Sequence, residues 1–250
     1  RAVGILGIAG IAIVFPIHML IMAIEQTIGI GGASFISRKL GERKKEETEF
    51  ALGNIVSMVI ISSIIMTVLG LVFIKPLLIA FGATDTILPL AIEYARIIML
   101  GIVFFSFGMV GNNLVRAEGN AKVAMITMLI GALLNIILDP IFIFGFGMGM
   151  AGAAWATVLS QIATFLYILY YFATGKSLLK FYFKNLRLKF YIVKEITVIG
   201  ISSFVRMGSS SIMAMVLNNS LAVYGGDIAI GVFGIINRLL AFVFLPLIGI

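Results

Sequence analysis

Long apolar runs, interrupted at intervals by short polar patches, organise this chain of 250 residues. A helix needs about 20 apolar residues to cross the hydrocarbon core of a bilayer. Seven segments meet that length, at roughly 8–37, 48–74, 89–114, 121–144, 149–174, 190–221 and 227–250. Each is bounded by charges, Gly clusters or Pro, and the segment 51–74, ALGNIVSMVIISSIIMTVLGLVFI, holds no charge at all. Strands of a membrane barrel would alternate apolar and polar positions over about ten residues. These runs are continuous, so the pattern predicts an all-α fold, a polytopic membrane helix bundle.

Composition sharpens the class. Hydrophobic residues make up 61% and charged residues 12%, where a soluble domain carries roughly 45–50% and about 25%. No soluble core absorbs such an excess. The chain has no cysteine and one histidine, His18, which excludes thiolate metal sites, disulfide frameworks and HExxH chemistry. A membrane-embedded enzyme would need a nucleophile, base or metal set that this inventory does not supply. The chain opens on Arg1 and ends in FVFLPLIGI, so it is expected to be a piece of a longer membrane protein. Its first apolar run is too long for the core of a signal peptide.

The net charge of +7 matters through its placement. The first connection holds Arg38, Lys39, Arg43, Lys44 and Lys45, the third Arg116 and Lys122, and the fifth Lys176, Lys180, Lys184, Arg187, Lys189 and Lys194. The second has Lys75 alone, while the fourth (GFGMGMAG) and sixth (YGGD) have no basic residue. Basic and bare connections alternate, as the positive-inside rule requires. The basic ones are therefore expected in the cytoplasm, with the first span running from outside to inside. Such charge runs read as a solvated membrane face rather than a nucleic-acid surface. A faint internal echo, GIAGI at 7–11 and GVFGI at 231–235, fits two related halves joined by the basic stretch at 175–194, and transporters are commonly built that way.

Ionisable residues inside spans are costly and point to function. Asp139 has no Lys, Arg or His within fifteen positions on either side. Asn135, four residues earlier, shares its helix face. The chain turns back at Gly145–Gly149, which puts Asp139, Asn135 and Thr157 about 9, 15 and 12 Å from that turn at 1.5 Å per residue. A carboxylate, an amide oxygen and a hydroxyl at one depth are hard ligands, suited to an alkali cation such as Na+ or to a shuttling proton. The plainer reading is that Asp139-Pro140 only breaks the helix and caps the next turn. A possible additional intramembrane site comprises His18, Glu25, Gln26 and Arg206. Along α-helical spacing, His18, Glu25, Gly29 and Gly32 form one stripe, whose glycines imply close helix contact. Glu25 fits either a coupling carboxyl or a protonated, hydrogen-bonded structural residue. Arg206 and Arg238 fit counter-ions or, for Arg206, a side chain reaching for the interface. GIGGAS and GFGMGMAGAA lack the strand and helix of a phosphate-binding loop and read as packing faces and turns.

Four stretches resemble the MATE (multidrug and toxic compound extrusion) transporters. GIGGASFISRKLGERKKEE is similar to their small-residue helix end and Ser-Arg-x-x-Gly loop, and LVRAEGNAK to their Arg-x-x-Gly loop. NIILDPIFIFGFGMGMAGAAWATVLSQ resembles the fifth and sixth helices, and GISSFVRMGSSSIMAMVLNNSLAVYGGDIAIGVFGIINRL the start of the second half. The resemblance implies twelve helices in two six-helix lobes, of which this chain would hold the second to the eighth. Residues 1–174 would form most of the N-terminal lobe, 175–194 the cytoplasmic inter-lobe loop, and 195–250 the start of the C-terminal lobe. It further implies a monomeric plasma-membrane antiporter with no cofactor, expelling amphipathic, often cationic compounds in exchange for Na+ or H+ by alternating access. The family's cation site would fall on Asp139, Asn135 and Thr157, with Tyr94 matching a tyrosine of the fourth helix. Glu25 departs from the family pattern. A lipid-linked oligosaccharide flippase of the same superfamily is the alternative, and it would need a cationic central cavity.

Overall fold

The structure is a computed structural model and describes residues 4–248, without the side chains of residues 238 and 241–248. Its helices run α1 (Ile5–Gly41), α2 (Lys45–Val72), α3 (Ile74–Ala80), α4 (Leu88–Ala117), α5 (Ala121–Pro140), α6 (Gly149–Ala173) and α7 (Phe190–Ile248). Six of them are long and apolar enough to cross a membrane among the described residues. The sequence pattern gives seven spans, and the difference lies in α7. It carries the last two expected spans, broken by Gly226 at φ 65°, ψ −169°, a conformation that glycine tolerates and other residues resist. The short α3 is not expected from the pattern either; Pro76 in its first turn costs it no hydrogen bond, because the first N–H groups of a helix have no partner inside it.

The three basic connections gather at one end of the bundle. Arg38 pairs with Glu195 at 2.7 Å. Glu118, between α4 and α5, accepts from Ser177 Oγ, from the Leu178 amide at 3.1 Å and from Tyr171 OH at 3.0 Å. The stretch between α6 and α7 is not a free loop. Buried Asn54 of α2 accepts from the Lys189 amide at 2.6 Å, and Ser57 donates to the Leu186 carbonyl at 2.6 Å. At the other end, Thr84 donates to Asp227 at 2.6 Å, beside the break in α7.

Packing rests on small residues, which let helix backbones approach closely where apolar burial alone gives no drive. A Cβ on Gly31 of α1 would strike the Ile196 carbonyl of α7, and one on Gly200 the Thr27 carbonyl of α1. Pro16 interrupts α1 and lacks the N–H that would bond the Ala12 carbonyl. Asn218 of α7 supplies a donor to that carbonyl at 3.3 Å, and Ser211 donates to the Pro16 carbonyl at 2.7 Å. The two echoing segments also meet, Gly231 against Ile5 and Gly234 against Ala12 and Ile8. Outward faces stay apolar, as Ile61, Ile64, Ile65, Val68 and Val72 on α2 illustrate.

Candidate functional site

Asp139 stands at the end of α5, immediately before Pro140, and a π-helical turn follows at Ile141–Gly145. Proline has no N–H to continue the α-helical ladder, and the widened turn closes instead through Phe146 N to the Ile141 carbonyl (2.9 Å) and Met148 N to that of Phe142 (3.0 Å). Such turns often mark functional positions. Gly147 and Gly149, at φ 65° and 57°, then reverse the chain into α6. Gly152 completes the close approach, since a Cβ there would meet the Phe142 carbonyl at 2.8 Å. The plainer reading of Asp139-Pro140 as a helix break is thus satisfied, and it also positions the acid.

Asn135 is one turn behind Asp139, and Thr157 faces both from α6. Asn135 Nδ2 donates to Asp139 Oδ1 at 3.4 Å and to Thr157 Oγ1 at 3.5 Å. Thr157 spends its own proton on the Ala153 carbonyl at 2.9 Å, so it presents lone pairs to the amide. All three are half-buried. Tyr94, half-buried on α4, joins Thr157 and His18 around a small cavity of about 70 Å³. Both Tyr94 and Asp139 have further interactions beyond these. Two oxygens therefore converge on one amide nitrogen, with bond lengths at the loose limit of hydrogen bonding.

A larger cavity of about 460 Å³ lies between α1, α4, α5 and α6, with Asn135 and Thr157 in its wall. Phe104, Phe105, Met22, Met109 and Met128 give it apolar, adaptable surfaces. Gln26, Asn112, Asn113 and Gln161 add amides, and Arg116 is its one charged lining residue among those described. The sequence reading missed this amide lining, because uncharged polar residues scattered over four spans give no local signal. It also passed over Glu93 and Arg96, which lie exposed early in α4.

The other residues singled out from the sequence do not form one site. His18 packs on Phe105, ring centroids 4.7 Å apart. Gln26 accepts from Asn113 at 2.8 Å in the large cavity. Glu25 faces Ser62 of α2. Arg206 is exposed on α7 and makes no ion pair among the described residues. The side chain of Arg238 lies outside the described residues.

A helix bundle of this kind, with an acid, an amide and a hydroxyl gathered beside an internal cavity, is the architecture of a membrane transporter. The MatE family model matches residues 2–141. The multidrug export protein MepA of Staphylococcus aureus (strain MRSA252) is 30% identical over 243 residues, covering 97% of this chain and 54% of that protein. Among solved structures, the MATE multidrug transporter DinF-BH, captured as a complex with a small molecule, is 43% identical with a TM-score of 0.93, over 100% of this chain and 56% of that one. The inward-facing conformation of a multidrug resistance MATE family transporter of the MOP superfamily is 33% identical, also with a TM-score of 0.93, over 98% of this chain and 56% of that one. This chain belongs to the MatE family, and it is a multi-pass protein of the plasma membrane. It spans about half the length of the relatives it matches.

Proposed function

We propose that the protein to which this chain belongs is a secondary active antiporter, exporting amphipathic or cationic organic compounds in exchange for Na+ or H+ by alternating access. Residues 1–174 form most of its first lobe, 175–194 the cytoplasmic connection and 195–250 the start of the second. The cation site comprises Asp139, Asn135, Thr157 and Tyr94. One observation carries the assignment. Asp139 and Thr157 both turn an oxygen to the Asn135 amide nitrogen, the partial positive charge that stands where a cation would. Turning that amide over replaces the nitrogen by Oδ1 and gives three hard oxygen atoms facing one point, a donor set suited to Na+. A proton on Asp139 would meet the same atoms.

The neighbouring cavity suits the organic substrate. Its volume falls in the range of small-molecule sites, and its aromatic, Met and amide lining is of the kind such sites use. Asn135 and Thr157 belong to both sites, so cation binding changes the cavity wall, and each ligand must alter the other's affinity. The complex of DinF-BH and the export activity named for MepA support a small-molecule substrate. The oligosaccharide-flippase alternative needs several basic groups for a diphosphate, and Arg116 alone lines the cavity among the described residues. The test is efflux of a fluorescent cation from proteoliposomes holding the full-length protein, with sodium and pH gradients imposed separately. Asp139→Asn should abolish gradient-driven efflux while leaving the protein folded. Retained efflux would remove Asp139 from the mechanism.

A further inference from the structure

Glu25 lies wholly inside the bundle, at 0% exposure, where α1 meets α2 and α4. Ser62 of α2 is 3.0 Å from its Oε1 and 3.1 Å from the Val59 carbonyl. Ser106 of α4 faces the carboxyl from the other side. Neither Ser106 Oγ nor Glu25 Oε2 has a partner within bonding geometry, and both atoms are buried. Neither cavity reaches Glu25.

No charge compensates this acid. α2 carries none beyond Glu49, α4 none between Arg96 and Arg116, and α6 none at all. From α7, Arg206 is exposed. His18 is two turns away on α1, about 10 Å along the axis, and it rests against Phe105. A buried carboxylate without a counter-charge is strongly disfavoured.

Proton bookkeeping separates the two forms. The Ser62 hydroxyl has one hydrogen for two acceptors. With Glu25 ionised, either the Val59 carbonyl or Oε1 loses it. With Glu25 protonated, Oε1–H donates to Ser62, Ser62 donates to Val59, and Ser106 turns its hydroxyl to Oε2. Every donor then has an acceptor. A metal ion would require space that this contact does not contain. We infer that Glu25, Ser62 and Ser106 form an occluded proton-binding site, separate from the Asp139 cluster, that takes H+ and excludes Na+. Because three helices close over it, exchange with bulk water requires them to part.

Infrared spectroscopy of the full-length protein at neutral pH tests this independently of transport. The wild type should show the carbonyl band of a protonated carboxyl that Glu25→Gln removes, Asp139→Asn retains and added Na+ leaves in place. Loss of a carboxylate band instead in Glu25→Gln, or disappearance of the acid band with Na+, would overturn the inference. If Glu25→Gln does not fold, Ser106→Ala takes its place. That change removes the donor to Oε2 and should move the acid band to higher frequency; an unmoved band would overturn the inference equally.

Discussion

Replacing Asn54 by leucine should release the stretch between α6 and α7. Asn54 is fully buried in α2, and its Oδ1 is the acceptor for the Lys189 amide at 2.6 Å. Its Nδ2 donates to the Phe50 carbonyl at 2.8 Å and to that of Arg187 at 3.4 Å. Leucine fills the space but accepts nothing, so the Lys189 N–H loses its partner, at about 1–3 kcal/mol. At tenfold per 1.4 kcal/mol, the segment opens roughly 5- to 150-fold more often. Ser57 still holds the Leu186 carbonyl, so the release is partial. The assay is limited proteolysis of the full-length protein with a protease specific for Lys and Arg, read at exposed Lys184 and Arg187. Where opening and closing are fast relative to cleavage, the rate follows the open population. Ser57→Ala removes one bond worth about 0.5–1.5 kcal/mol and should act more weakly. Cleavage of Asn54→Leu at the wild-type rate would show that this stretch is not held by Asn54.

Four other changes have defined outcomes. Thr157→Val keeps the shape of the cluster but loses one oxygen, which should weaken the dependence of efflux on the coupling ion about 2- to 12-fold; an unchanged ion titration would exclude Thr157 as a ligand. Gly31→Ala should lower the thermal midpoint of the full-length protein, since its Cβ strikes the Ile196 carbonyl and overpacking costs about 1–3 kcal/mol; an unaltered midpoint would disprove that contact. Asn218→Leu should cost about 0.6 kcal/mol and at most about 1.7, seen in the same melting experiment, because the Ala12 carbonyl loses its substitute donor. Lys44 and Lys39 hydrogen-bond the Glu42 carboxyl and hold it below its usual 4.5. These ion pairs are present above the ordinary carboxylate range and are lost as pH falls through the lowered value, so an NMR titration should find the Glu42 midpoint raised in Lys44→Ala.

Most of the bundle was legible in the sequence because lipid imposes one simple requirement, a long uncharged run for every crossing. The ends of α1, α2, α4 and α6 fall within a few residues of the runs that predict them. Asp139 was visible for the same reason: a lone charge stands out against such a background. Asn135 followed from helical spacing, and Thr157 from counting back from the turn. Tyr94 came only through resemblance, since a tyrosine in a long apolar helix has nothing to distinguish it. Ser62 and Ser106 could not be paired with Glu25 from the sequence, because serines are common in these spans and the contacts join three separate helices. The break at Gly226 was masked by a second glycine beside it and an aspartate after it, which together read as an ordinary loop.

Gly31 and Gly200 leave α1 and α7 touching main chain to main chain, with no interlocking side chains at the crossing. Two shafts in such contact can roll without first unlatching anything. The crossing therefore serves as a bearing. Swinging motion of α7 beyond it, out to the kink at Gly226, is levered about this one point, and a bulky residue there would jam it.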